Sequence, residues 1–265
     1  EGIFESTSTS SLYYNRAAND GEALIGGNSY RYDSRFDRYL GYHVYLWHKV
    51  GDSADSVFFV YPSKKNSEVI VSADEDMSLQ ADSFIYYRDN RKSSVKLSSD
   101  VSIIYNNSAI NFLEDYNEEL LAFDNGNVKL INNDNDGDVD VVKITSYQSF
   151  VIDSIEVDES QISVYGAYSN ANPLKLELRK LSYSIVDSLG KSLTFNDLKP
   201  GDVLSYAKSK DGKNVEILVS YNYIEGQIEE IQENGQYIHI TVNGNPYTLL
   251  KSAITNDIVL KLSGS

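Results

Sequence analysis

The chain has 265 residues, no cysteine and a formal net charge of −16, from 39 acidic and 23 basic side chains. This charge argues against a nucleic-acid partner, which requires a basic face, and the missing cysteines exclude disulfides, thiolate metal sites and a cysteine nucleophile. No apolar run has the length of a membrane span, and no secretion signal is visible.

A strand, an acidic or Asp-Gly turn and a second strand recur three times along the chain. These hairpin patterns cover residues 40–60, 128–144 and 202–219. A segment able to form a turn of helix precedes each of them (SRFDRYLGY, NFLEDYNEELLAF and TFNDLKPGD), and a further strand with a polar break follows. Self-similarity at a regular spacing indicates an array of like modules.

Aligning these signals predicts four modules. They cover residues 1–67, 68–150, 151–224 and 225–265, and the last is only part of a module. Because the chain starts at Glu1 without methionine and stops inside its fourth module, we expect a processed or excised piece of a longer protein.

Equivalence of the second and third modules predicts a specific superposition. Asp136-Gly137 should coincide with Asp211-Gly212, and Tyr147 should lie near Tyr221, at offsets of 75 and 74 residues. A slip of one residue would invert every side chain of the following strand, so the turns must stay in step with the hydrophobic pattern.

Strand signals dominate the sequence. The 21 Tyr and 9 Phe occur with Val and Ile in short alternating runs, which are typical of half-buried strands. In the run from Val215 to Val219, Val215, Ile217 and Val219 share one face. Asn243-Gly244 and Gly26-Gly27 predict tight hairpin turns.

These signals together predict an all-β fold. We expect tandem small antiparallel β-barrel or sandwich modules with occasional short helical turns. The longest helical candidate covers Phe112 to Phe123, where four apolar side chains fall on one stripe.

The sharpest local motif is the acidic run NNDNDGDVD, which begins at Asn132. Ca²⁺ binds about six to eight oxygen ligands, and alternate side chains around a glycine turn supply them. We expect Gly137 to form the turn and Asp138 to contribute its backbone carbonyl. The complete predicted ligand set is Asn132, Asp134, Asp136, Asp138 and Asp140.

The acidic run matches the first half of the helix-loop-helix calcium loop and departs from it in the second half. Its twelfth position is Lys143 where that loop has a bidentate Glu, and its flanks have strand patterns. It resembles more nearly the DxDxDGxxD loops between strands of extracellular β proteins. The alternative is a hairpin turn in which Asx side chains bind their own backbone. From the sequence alone, the calcium loop and the Asx-rich hairpin turn both stay open.

No sequence pattern supports catalysis. His43 and His48 are five residues apart in a strand and therefore predicted on opposite faces, and His239 is predicted to be exposed. No nucleophile elbow is present, and nothing singles out a catalytic pair among the 39 carboxylates. We therefore expect a protein that is not an enzyme. Its candidate cofactor is Ca²⁺, which the acidic run predicts.

An aromatic stripe lies in the first hairpin. If Val44 and Leu46 point inward, Tyr45 and Trp47 project from the other face. Packing between modules is the favoured use of these rings, because a tandem array needs apolar contacts. Stacking on a sugar ring is the alternative.

The order of several phrases resembles one family of cell-surface proteins. The phrases are LGYHV, SSDVSIIYNNSAI, VKLINNDNDGDVDVVKITSYQSFVIDSI, GKSLTFNDLKPGDVLSYAKSKDGKNVEILVS and GQIEEI. This order is similar to the repetitive, non-anchoring region of S-layer-homology-domain proteins of Gram-positive anaerobes. The resemblance implies a secreted, surface-layer-associated protein with no catalytic role for this region. The short anchoring repeats of that family are missing from the sequence.

The sequence thus predicts a non-catalytic extracellular structural or interaction protein at the cell surface. Its expected partners are other protein subunits or cell-surface components, including glycan, with no nucleic acid and no membrane span in this segment. A carbohydrate-binding or carbohydrate-cleaving module is the first alternative. A phage or virion surface component is the second.

Overall fold

A computed structural model describes most of the chain. The described residues are 1–14, 17–32, 34–51, 55–111, 116, 118–123, 125–166, 172–177, 182–187, 189, 191–210, 212, 214–220, 226–235 and 237–250. Strands β1 to β21 form four sheets, and the helical segments among the described residues are short 3₁₀ turns. The protein is all-β, with small barrel and sheet modules, as the sequence predicts.

The first five strands close into a small barrel. They are β1 (Gly2–Thr7), β2 (Glu22–Ile25), β3 (Asn28–Arg31), β4 (His43–Lys49) and β5 (Ser56–Pro62). Their order around the barrel is β1-β2-β3-β5-β4, and β4 pairs with β1 to close it. The pairing of β3 with β5 is parallel, whereas the other pairings are antiparallel.

The next seven strands form one open sheet. They are β6 (Ser67–Ser72), β7 (Met77–Leu79), β8 (Ser83–Arg88), β9 (Arg91–Tyr105), β10 (Ser108–Ile110), β11 (Gly126–Asn132) and β12 (Val139–Ser146). The order is β6-β11-β12-β9-β8-β7, and β10 pairs with β9. Strands β12 and β9 are parallel neighbours.

The remaining strands form two sheets. The six-stranded sheet contains β13 (Gln148–Val157), β14 (Gln161–Gly166), β15 (Leu174–Glu177), β16 (Ser182–Asp187), β17 (Val203–Lys208) and β18 (Asn214–Ser220), in the order β15-β14-β13-β17-β18-β16. The three-stranded sheet contains β19 (Ile228–Asn234), β20 (Tyr237–Val242) and β21 (Asn245–Leu250). In β18 the predicted inward face is confirmed, because Val215, Ile217 and Val219 are buried.

One pairing scheme recurs in the first three sheets. Within each sheet, the first strand in chain order pairs with the next-to-last strand, and the next-to-last strand neighbours the last. The last strand also neighbours a strand that precedes a 3₁₀ helix. Among the described residues the 3₁₀ helices are Ser34–Tyr39, Glu118–Leu121 and Phe195–Asp197. The three predicted hairpins, β4–β5, β11–β12 and β17–β18, and the helical turn before each are therefore confirmed.

Parts of two predictions fall outside the described residues. Residues 112–115 and 117 of the predicted helix lie outside the described residues. The described part of that segment contains the 3₁₀ turn Glu118–Leu121. Asp211 and Tyr221, which the predicted superposition requires, also lie outside. The superposition and the four-module division stay predictions.

By its internal contacts the chain forms two compact units. Unit 1 comprises Glu1–Ser146 with Lys208–Asn214, and unit 2 comprises Tyr147–Ala207 with Val215–Ser265. Unit 2 has a core of its own around Leu176, Leu204 and Ile217.

Within unit 1, the β11–β12 hairpin has both faces buried. Leu130 and Val142 belong to the core of the seven-stranded sheet. Ile131 and Val141 instead join the barrel core, where they pack with Phe4 and its neighbours. Burial on both faces explains why these strands are nearly continuously apolar. The hairpin thus links the barrel to the sheet, and its connecting turn is the acidic run.

Candidate functional site

The acidic loop, defined as residues 132–140, connects β11 to β12 through a chain of side-chain-to-backbone hydrogen bonds. Asn132 Oδ1 accepts the backbone N–H groups of Asp134 (3.2 Å) and Asn135 (2.7 Å). Asp134 Oδ1 accepts the N–H of Asp136 (3.0 Å), and Asp136 Oδ1 accepts that of Asp138 (2.8 Å). Short Asx side chains reach the backbone two residues ahead, which is why this sequence turns here.

Two residues of the acidic loop have left-handed backbone angles. Gly137 has φ of 100°, which favours glycine because a side chain would be strained there. Asn135 has φ of 70°, and asparagine tolerates this region better than most residues. The loop therefore bends back on itself at the glycine that the motif predicts.

This bend brings three carboxylates together. Asp134, Asp136 and Asp140 each offer an oxygen within 4.8 Å of the other two. Asp134 and Asp136 are exposed, whereas Asp140 at the start of β12 is half-buried. Burial raises the pKa of Asp140, and the carboxylates of Asp134 and Asp136 raise it further, against a hydrogen bond from the Asn133 N–H (2.7 Å). A bound cation would relieve this repulsion.

The other two predicted ligand residues have different surroundings. The Asp138 carboxylate accepts a hydrogen bond from the Lys96 ammonium on β9, which raises the pKa of Lys96. This leaves the Asp138 backbone carbonyl for the predicted role. The Asn132 amide oxygen already accepts two N–H groups and is buried. Sequence reasoning missed Lys96, because no local pattern shows that β9 lies beside the acidic loop.

The acidic loop is also tied to the barrel within unit 1. The Asn133 side chain is 3% exposed, and its amide donates to the backbone carbonyl of Gly41 (2.9 Å). Gly41 has φ of 92°, and a β-carbon built on it would lie 3.3 Å from both methyl groups of Val141. Asn133, which lies between two predicted ligands, thus fixes the acidic loop to the barrel, while Val141 packs β12 against the same glycine.

The outer surface of β4 and β5 carries exposed rings. Val44 is buried and Leu46 packs against the barrel core, as predicted, so the alternating residues project outward. The side chains named the aromatic face below are Tyr45 (40% exposed), Trp47 (48%), Phe58 (57%), Phe59 (48%) and Tyr61 (57%). The apolar run SVFFVYP is the sequence signal that could have predicted the last three rings.

The histidines take part in local contacts. His43 on β4 is buried, and its Nε2 lies 3.1 Å from the Lys65 ammonium. His48 Nδ1 lies 2.8 Å from the Asp55 carboxylate. His239 Nδ1 lies 2.9 Å from the Thr248 hydroxyl in the three-stranded sheet of unit 2.

In the described part of the chain, no helix is both long enough and apolar enough to span a membrane. Comparisons with protein-family models and with curated proteins give no match for this chain.

Proposed function

We propose that this chain is a non-catalytic extracellular structural and interaction protein of a surface-layer-associated or filament-like assembly. The recurring pairing scheme of the first three sheets supports tandem modules, since an array repeats its architecture and a unique active site is not needed in every copy. Its partners are other protein subunits or cell-surface components. The phrase order similar to S-layer-homology-domain proteins supports the same location.

Calcium is the proposed cofactor, and the convergence of Asp134, Asp136 and Asp140 is the observation that carries it. Carboxylate oxygens are the ligands that Ca²⁺ prefers, and extracellular modules bind it with dissociation constants of about 10⁻⁴ to 10⁻³ M. Such weak binding suits a compartment with millimolar calcium.

The proposed role of the ion is to stiffen unit 1. The acidic loop that would hold it also holds the Gly41 carbonyl through Asn133, and β12 contributes Val141 to the barrel core. An ion that fixes the loop would therefore restrain the barrel against the seven-stranded sheet. An ion that binds only the folded state stabilises that state by mass action.

Thermal unfolding with and without calcium tests this proposal. At calcium about tenfold above the dissociation constant, the folded state gains about 1.4 kcal/mol, which raises Tm by about 3–6 °C. Asp136→Ala should lose this gain, while Asp153→Asn, an exposed aspartate of unit 2, should keep it. Magnesium at equal ionic strength is the control for screening.

Asp140→Asn gives a second, independent comparison. Asparagine still accepts the hydrogen bond from the Asn133 N–H and carries no charge, so the variant should equal or exceed the wild-type Tm in chelator. In calcium it should fall below wild type, because a ligand charge is gone. Equal wild-type Tm values in calcium and in chelator would leave only the Asx-rich turn and contradict the proposed cofactor.

A further inference from the structure

The aromatic face consists of two cross-strand pairs and one extra ring. Tyr45 lies opposite Tyr61, and Trp47 lies opposite Phe59, with ring centroids of the second pair 5.3 Å apart. Rings on one strand lie about 6.6 Å apart, because each residue advances a strand by about 3.3 Å. The result is a platform two rings long and two rings wide.

A β-bulge adds the fifth ring. The register between β4 and β5 shifts between Trp47 and His48, which leaves Phe58 without a residue opposite it. Phe58 and Phe59 are therefore both exposed although they are consecutive, between the buried Val57 and Val60. Bulges re-aim side chains and recur beside functional sites. Here the bulge places outside the barrel a ring that regular alternation would turn inward.

The size of the aromatic face bears on what covers it. Five half-exposed aromatic side chains present on the order of 500 Å², comparable to the largest patch on a monomer, which is often functional. A stable protein interface buries about 800 Å² on each partner. The face is therefore small for docking a second copy of this chain and suits a narrower ligand.

The charge of the aromatic face restricts the ligand further. Strands β4 and β5 contain no Asp or Glu, although the whole chain has 39. The five rings carry no charge, and Lys49 at the end of β4 is the charged side chain of these two strands, on a molecule whose net charge of −16 repels both polyanions and a second copy of itself. An uncharged ligand is the electrostatic complement of such a surface.

We propose that the aromatic face binds a neutral polysaccharide. The C–H faces of sugar rings stack on the negative faces of aromatic rings. The platform holds two adjoining sugars of a chain, with Tyr45 and Tyr61 offering hydroxyl groups to the sugar hydroxyls at one end. This inference gives the proposed surface role a partner and rests on that role, but it does not depend on calcium.

Intrinsic fluorescence can test the proposal, because Trp47 is the only tryptophan of the chain. The probes are three neutral polysaccharides, hydroxyethyl cellulose, laminarin and pullulan, and the anionic polygalacturonate. We expect at least one neutral polysaccharide to shift the Trp47 emission to the blue and to retard the protein in an affinity gel. Polygalacturonate should do neither.

Two variants locate the binding surface. Phe58→Ala and Phe59→Ala should each weaken binding about tenfold while retaining the wild-type Tm, since both rings are exposed. Tyr87→Ala removes a ring that is 43% exposed on β8 of the same unit and should bind as wild type. Retained affinity in both Phe variants would overturn the proposal, as would binding of polygalacturonate alone or of none of the four probes.

Sedimentation tests whether a second copy of this chain occupies the aromatic face instead of a polysaccharide. Self-association that Trp47→Ala abolishes would assign the aromatic face to a second copy and overturn glycan binding. Release of reducing ends from a bound polysaccharide would contradict the non-catalytic part of the proposed function and leave glycan binding in place. Failure of the calcium experiment would likewise not contradict glycan binding by the aromatic face.

Discussion

His43 is a buried titratable residue of the barrel with an incomplete set of hydrogen bonds. Its Nδ1 makes no hydrogen bond among the described residues, and its Nε2 lies 3.1 Å from the Lys65 ammonium. Burial lowers the pKa of His43 below the ordinary value of 6.5, and the Lys65 charge lowers it further, against the carboxylate of Glu1. The folded state therefore favours the neutral imidazole more than the unfolded chain does.

Acidification should consequently destabilise the protein through His43. Below pH 6.5 the unfolded chain binds a proton that the folded chain takes up only at lower pH, so the free energy of unfolding falls as pH falls through this window. We expect His43→Gln to show a smaller loss of Tm between about pH 7.5 and 5 than wild type. His239→Gln, in unit 2, is the matched control. An identical pH profile for wild type and His43→Gln would contradict this prediction.

At the scale of elements, the β11–β12 hairpin depends on a glycine at its open end. Gly126 begins β11 with φ of 144°, and a β-carbon built there would lie 2.0 Å from the backbone oxygen of Thr145 on β12. A side chain is excluded by backbone on the paired strand, which cannot move aside as a flexible side chain can. The close approach of the two strands requires glycine.

Gly126→Ala should therefore cost about 3 kcal/mol or more, from backbone strain together with forced separation of the strands. This corresponds to a loss in Tm of more than about 6 °C. Gly21→Ala is the control, since Gly21 has φ of 71° and nothing lies within 4 Å of its built β-carbon. That variant should lose only about 1 kcal/mol, or about 2–4 °C, from the left-handed backbone alone. Equal losses in the two variants would show that the strands adjust freely.

At the scale of the whole molecule, the excess of negative charge opposes folding. A net charge of −16 repels itself more strongly in the compact state than in the unfolded chain. Ion pairs such as Lys65 with Glu1 and Lys129 with Glu68 lie at the surface, where each contributes about 0–1 kcal/mol. Repulsion should therefore outweigh these pairs.

Salt should stabilise the protein for this reason. Raising sodium chloride from about 10 mM to 150 mM shortens the screening length from about 30 Å to 8 Å, and we expect Tm to rise. Calorimetry in both buffers, with chelator present to remove calcium, measures the effect. A fall in Tm would mean that attractive pairs dominate the electrostatics.

The local features of this protein could be predicted from its amino-acid sequence. Alternating Val, Ile and Tyr residues predicted the strands, and the three hairpins each follow a short helical segment as expected. Asn243 and Gly244 both have positive φ, as the Asn-Gly turn predicts. The acidic loop bends at Gly137 for the same reason. These features depend on residues close in sequence, so their pattern and turn chemistry suffice to predict them.

The contacts between residues far apart in the chain could not be predicted from the sequence. The parallel pairings of β3 with β5 and of β9 with β12 are not encoded in any local pattern. The same holds for Lys96 beside Asp138 and for the hydrogen bond from Asn133 to Gly41. The aromatic face likewise needs the register shift that exposes Phe58. Each depends on the packing of strands far apart in the chain, where burial of apolar surface and satisfaction of backbone hydrogen bonds select the partners.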